Sequence, residues 1–350
     1  MNFFPPTIRL VLAFVFVLGL CANPRLDAQF RFDVVDNSHG LSQGYVFDIL
    51  QDKEGFLWFS TKDGLNRYDG YQFKIFSHDA YDSTSISSNS CSYMCEDRYG
   101  RIWIGTEENG ISVYDKVTDR FLRIRQKEGQ ANSLAGNRIQ FPIIEMSDGR
   151  MMTCTHNKKI NLITLPPNAH QNKPDIKIEE LDIPFDYYFL TYYTTFKGET
   201  WLNAHGKHMK FNPAINNFEW KKDIEPFSTF QLNKNGSVWT NSKYYNLIDS
   251  NQTYALFDKS LMEDQGSYIY ADEKQRLWIT CSNLNLLNVY DISQWQKGRP
   301  LDPPSKLLAQ DKIGGLEMFR DRSGILWMAT NGYGLRKYMF ESEKFNHQAK

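Results

Sequence analysis

The sequence predicts an all-β chain, a seven-bladed β-propeller of four-stranded antiparallel blades. Three observations carry that prediction. An Asp-x-x-Gly-x-x-Trp signature recurs along the 350 residues. Its copies are spaced by about the length of one blade. Aromatic residues make up 15% of the chain, Gly, Asn and Asp are frequent, and no stretch resembles a long amphipathic helix. Such a composition suits short strands and tight turns.

The signature is clearest as Asp52, Gly55 and Trp58, then as Asp97, Gly100 and Trp103, and again as Asp321, Gly324 and Trp327. Weaker copies end on Trp201, Trp239 and Trp278, and the most decayed copy has Met152 in the Trp place. The anchors at 58, 103, 152, 201, 239, 278 and 327 are separated by 45, 49, 49, 38, 39 and 49 residues. Within a repeat, Tyr45–Leu50 reads as the inner strand. The Asp-x-x-Gly turn follows, with Gly supplying positive φ and Asp bonding to the local backbone. Phe56–Thr61 is the second strand, Asp63-Gly64 a hairpin signal, Leu65–Tyr68 the third strand and Gln72–Phe76 the fourth. A Trp on each second strand packs between neighbouring blades, so these rings are scaffold rather than a sugar-stacking row.

The ends show how the ring closes. By repeat alignment, Phe30–Val35 falls where a fourth, outer strand belongs. It is expected to complete the seventh blade and remove an open sheet edge. Phe345–His347 is then a surplus outer strand, competing for that blade or beginning a further module. Residues 1–28 read as a signal peptide: Arg9, the apolar run Leu10–Ala22 and small-residue cleavage after Leu26-Asp27-Ala28. Residues 29–350 form the propeller, expected in the periplasm without membrane insertion. Leu20 before Cys21 argues against a lipid anchor. Of the remaining cysteines, Cys91 and Cys95 lie about 13 Å apart on a strand, too far for a mutual disulfide. With Cys154 and Cys281 they read as buried thiols.

The run from Gln51 to Gly70, with Gly40-Leu41-Ser42 and Asn132-Ser133-Leu134, resembles the two-component regulator propeller repeat. The likeness is strong in repeats one, two and seven. Repeats three to five depart from it, with Met152 for Trp and with Thr195 and Asn233 for Asp. The resemblance implies the N-terminal periplasmic sensor propeller of a Bacteroidetes-type hybrid two-component histidine kinase, a class that detects oligosaccharides. Kinase and output modules, or another protein, are the implied partners. No kinase-like nucleotide box or helix-turn-helix pattern appears in this chain.

Chemistry is less legible. A formal net charge of -1 gives no general attraction to nucleic acid. No metal-ligand spacing, cofactor motif or catalytic constellation stands out, so binding rather than catalysis is expected. His205 and His208 read as ordinary surface residues. The turn differs from the sialidase Asp-box, which has one residue fewer between Asp and Gly. With 41 acidic residues, chance carboxylate pairs leave a glycan-active enzyme as a third reading. A scaffold for protein–protein interaction is the second. Candidate ligand contacts are Tyr45, Arg138, Tyr188 and Tyr268, near the start of or along inner strands, with central core as the competing role. Trp295 lies off the repeat frame, either a loop anchor or a contact.

Overall fold

Each repeat becomes an antiparallel meander because its turns are local, and its second strand, as in Leu57–Thr61 and Ile102–Thr106, is buried at every position because neighbouring blades cover both of its faces. The computed structural model of the chain describes residues 32–130, 132–167, 174–182, 190–195, 197–224, 230–232, 238–240, 246–249, 252–257, 267–281, 286–302, 306–312 and 315–340. The strands form seven four-stranded sheets, the blades of a propeller. Blade one is Val46–Gln51, Leu57–Thr61, Gly64–Tyr68 and Phe73–Phe76. The inner strands of blades two to seven begin at Cys91, Ile144, Leu190, Phe230, Ser267 and Gly315. The one helical element described is a 3-10 turn, Asn37–His39.

Asp33–Val35 is the outer strand of blade seven, antiparallel to Leu335–Met339. Closure therefore follows the expected register. Phe30, the tail Phe345–His347 and the leader at 1–28 lie outside the described residues.

The core is a series of layers between blades rather than one central mass. Trp58 and Leu65 face blade two, where they meet Met94, Ile104 and Tyr114. Trp103 faces Met151 and Ile163 of blade three. Trp327 faces Phe59 and Ile49 of blade one, so the last layer repeats the first. Trp58, Trp103, Trp278 and Trp327 are at most 1% exposed, and each such burial contributes a few kcal/mol.

The Asp of the signature does more than turn the chain. Asp52 Oδ1 accepts from the main-chain N–H of Gly55 (2.9 Å) and Phe56 (3.0 Å). Its Oδ2 accepts from Trp58 Nε1 at 2.9 Å. The same indole bond links Asp97 to Trp103 (2.9 Å), Asp272 to Trp278 (2.8 Å) and Asp321 to Trp327 (2.8 Å). In blade three both ends are replaced together. Met146 stands at the Asp position and Met152 at the Trp position, both buried in one apolar cluster. In blade four Thr195 Oγ1 accepts from Glu199 N at 3.2 Å, and the Trp201 indole turns to Glu199 Oε2 at 3.3 Å. Asn233 lies outside the described residues.

The Leu-Ser step also has a physical reason. Leu41, Ile86 and Leu134 are buried at the entry to successive blades. The N–H of each following residue, Ser42, Ser87 and Ala135, donates at 2.9 Å to Asn66, Ser112 and Asn161 of a third strand.

Adjacent blades are also tied at both ends of the ring. At the hairpin end, Gly64 N–H donates to Asn89 O (2.7 Å) and Gly110 N–H to Asn137 O (2.7 Å). At the turn end, Lys53 Nζ reaches Asp97 O at 2.8 Å and Arg98 Nη2 reaches Met146 O at 3.2 Å. Arg322 bonds the Asp52 carbonyl in the same way, and its Nη1 reaches Lys53 O at 3.1 Å.

Candidate functional site

An antiparallel meander puts the Asp-x-x-Gly turns at one end of the ring. The loops entering inner strands and the second-to-third-strand hairpins lie at the other. At the turn end the signature carboxylates of the described residues are taken up internally. Asp52, already holding Trp58, also pairs with Lys116 Nζ at 2.9 Å, and Lys116 reaches Glu96 at 2.9 Å. Arg101 Nε and Arg276 Nε sit 2.6 Å from Asp97 and Asp272. These saturated carboxylates serve the scaffold and offer little to a ligand.

The loop end differs. Tyr45 enters blade one, and its ring lies 4.7 Å from that of Phe47. Lys62, from the blade-one hairpin, places Nζ 4.0 Å from the Tyr45 ring centroid, a cation–π contact. Burial, and then Glu107 of the blade-two hairpin, push the Tyr45 hydroxyl up. Glu107 Oε2 in turn lies 3.8 Å from Arg138 Nη2 at the entry to blade three. Glu107 and Arg138 thus meet across blades two and three, and Tyr45 feels the Glu107 charge. Both charged groups are partly exposed, and rings with nearby charged donors and acceptors suit a polar ligand.

Below this group, the inner strands bring two carboxyls together without a cationic partner among the described residues. Asp48 of blade one and Glu317 of blade seven hydrogen-bond to each other. Met94 N–H donates to Asp48 Oδ2 at 2.5 Å, and Ile49 N–H to Glu317 Oε2 at 3.2 Å. Burial and then the Asp48 charge push Glu317 well above the ordinary carboxyl range. Glu317 is therefore the proton-bearing partner. Tyr268, half-buried on the inner strand of blade six, belongs to the same neighbourhood. Its hydroxyl is raised by burial and then by Tyr93, Glu317, Asp48 and Tyr45.

A cavity of about 380 Å³ opens at the seam, lined by Asp36, Asn37 and Ser38 of the closing segment and by Tyr333 and Arg336 of blade seven. Asp36, Ser38 and His39 have the composition of a charge relay but not its geometry. Ser38 Oγ and His39 Nδ1 both bind Asp36 Oδ1, at 2.6 and 3.0 Å. A relay needs the two ring nitrogens to face different partners. The Asp36 carboxyl is held down to about 2, by Ser38 first and then by His39.

The other sequence candidates fall elsewhere. Trp295 packs on Trp239 with ring centroids 5.2 Å apart and donates to Ala255 O at 3.2 Å. It anchors a loop at the turn end, away from Tyr45 and Arg138. Tyr188 lies outside the described residues. His205 is exposed, but His208 is a correction to the surface reading, being 2% exposed. Its ring stacks on Trp201 at 4.6 Å, and Nε2 lies 3.2 Å from the Tyr193 hydroxyl. A third-strand position alternating toward blade five buries it. Cys91 and Cys95 are free thiols, and burial pushes Cys95 up to about 12. The Cys281 side chain lies outside the described residues.

Sequence reasoning missed Lys62, Glu107, Asp48, Glu317 and the seam residues. Asp48 carried a signal, a carboxylate inside the apolar run Val46–Leu50. So did Tyr333, a bulky ring between Gly332 and Gly334 at a hairpin tip.

Among the described residues no group of three or more His, Cys, Asp or Glu is placed to hold a metal, and no helix is long and apolar enough to cross a membrane. The family model described as two component regulator propeller matches residues 40–63 and 85–108. A segment of 61 residues, 17% of this chain, is 51% identical to histidine kinase P4 of Formosa agariphila, covering 4% of that protein. Among solved structures, the extracellular domain assigned to hybrid two component system BT3049 of B. thetaiotaomicron superposes with a TM-score of 0.64 at 21% identity. The match covers 88% of this chain and 42% of that one. Virginiamycin B lyase from Staphylococcus aureus, solved with quinupristin, has a TM-score of 0.64 at 12% identity, covering 89% of this chain and 100% of that one. Two such different proteins on one scaffold show that these likenesses are of fold.

Proposed function

Because residues 40–63 and 85–108 are two-component regulator propeller repeats, we propose that this ring is the ligand-sensing module of an extracytoplasmic two-component sensor. The ligand class is oligosaccharide, and a histidine kinase module supplies the output. Delivery across the inner membrane is by the leader at residues 1–28. The observation that carries the reading is the loop-end group of Tyr45, Lys62, Glu107 and Arg138, drawn from three blades, whereas at the turn end Asp52, Asp97 and Asp272 are taken up by cationic side chains. Two-component association is supported by the repeats themselves. The oligosaccharide is what the repeat resemblance implies, and the partly exposed Glu107 and Arg138 offer an acceptor and donors to its hydroxyls.

Calorimetry of the intact chain against a panel of neutral and acidic oligosaccharides tests it. Binding is expected, weakened by Tyr45→Ala and by Arg138→Ala but not by Trp295→Ala at the opposite end. Tyr188→Ala extends the test to the fourth-blade entry. A folded chain that binds no member of the panel removes the oligosaccharide and leaves a protein-interaction scaffold.

A further inference from the structure

We propose that the cavity at the ring seam binds one neutral pyranose residue, and that its occupation clamps the closing strand onto the last blade. This deepens the sensing reading and rests on it. The cavity, about 380 Å³, falls at the small end of the roughly 300–1,000 Å³ range of ligand pockets. Its two walls come from opposite ends of the described chain. Asp36 and Asn37 follow the closing strand, whereas Tyr333 and Arg336 belong to blade seven.

The chemistry of the walls is complementary to a sugar. Tyr333 sits between two glycines with φ of +94° and +76°, and its side chain is left in solvent at 63% exposure. That ring offers a flat apolar face to the C–H side of a pyranose. Arg336 uses Nη1 on Tyr333 O at 3.2 Å. Among the described residues its other guanidinium donors have no partner. Asp36 collects Ser38 N–H, Ser38 Oγ and His39 on Oδ1, leaving Oδ2 to accept from hydroxyls. A carboxylate or phosphate ligand would meet the charge of Asp36, and an ammonium that of Arg336. A neutral polyol uses both groups without a charge conflict. A ligand touching both walls stabilises the closed ring by mass action.

The test uses methyl glycosides of glucose, galactose, mannose and xylose as probes of the intact chain. Ligand-observed NMR reads affinity, and hydrogen exchange reads residues 33–40. At least one glycoside is expected to bind. Tyr333→Ala and Arg336→Ala should each weaken it about tenfold or more, while Tyr333→Phe keeps the stacking face and most of the affinity. Bound glycoside should slow exchange over 33–40 in the wild type and in Tyr333→Phe. Binding that survives both alanine substitutions overturns the seam site. So does a wild type that binds a panel oligosaccharide but no methyl glycoside, and in either case the sensing reading stands. A wild type that binds neither kind of sugar overturns both.

Discussion

The main-chain N–H of Gly334 donates to the carbonyl of Gly44 at 2.9 Å, joining the last blade to the first. The same bond joins blades one and two through Gly64 and Asn89, and blades two and three through Gly110 and Asn137. The seam, which lacks a covalent connection, is thus built like a sequential junction. A Cβ on Gly334 would stand 2.5 Å from Val35 O of the closing strand, and one on Gly110 2.2 Å from Ile124 O of an outer strand.

Gly334→Ala therefore combines a left-handed backbone with a steric clash and should destabilise by about 2–4 kcal/mol. Gly55 also has positive φ, but a Cβ there meets nothing within 4 Å. Gly55→Ala should cost only ~1 kcal/mol. Urea unfolding of both variants checks this, and equal losses would remove the clash as the cause.

Asp321 and Trp327 act as a pair, as the joint Met146 and Met152 replacement in blade three suggests. Asp321→Met strands the indole donor, and Trp327→Met strands the carboxylate. The double substitution should lose less than the sum of the singles, with a coupling of about 1–3 kcal/mol. A double-mutant cycle giving strict additivity would contradict the pairing.

His208 predicts acid sensitivity. Burial, then Lys222, hold its imidazole down to about 4 from an ordinary 6.5. Between those values the unfolded chain binds a proton that the folded chain refuses. Stability is therefore full above about pH 6.5 and falls toward pH 4, by up to ~3 kcal/mol. His208→Phe should flatten that slope in denaturant titrations across the window, and an unchanged slope would exonerate His208.

The Glu317–Asp48 pair has the opposite sign. A raised carboxyl contributes stability that is present at low pH and lost as pH rises through its folded value. Glu317→Gln keeps a donor toward Asp48 but cannot ionise. It should lie within about 1 kcal/mol of wild type in mild acid and gain on it as pH rises. Parallel stability curves for the two proteins would rule out the shared proton.

The ring was legible because each blade is made locally. Tyr45–Leu50 as an inner strand, the Asp52–Trp58 turn and strand, and the outer-strand register near Val35 all follow from order along the chain. Met152 could be placed from its period despite lacking the motif. The indole bond from Trp58 to Asp52 was not legible, because spacing shows that two residues recur, not that their side chains meet. His208 was misplaced because its burial depends on the face of blade four that Trp201 and Tyr193 cover. Trp295 gave no hint of its partner, since Trp239 lies in a different repeat.

By itself the sequence determined the number of blades, their strand order and the strand that closes the ring. Within a blade those features rest on hydrogen bonds between segments adjacent in the chain, and the one distant pairing, Asp33–Val35 with Leu335–Met339, was readable because Val35 falls at an outer-strand position of the repeat. Only the tertiary structure decided which side chains gather at the loop end. Tyr45, Glu107 and Arg138 come from three blades, Asp48 and Glu317 from the first and last, and Tyr333 and Asp36 from the two sides of the seam. Their meeting depends on how neighbouring blades stack around the axis, and a repeat period carries no information about contacts between unlike positions.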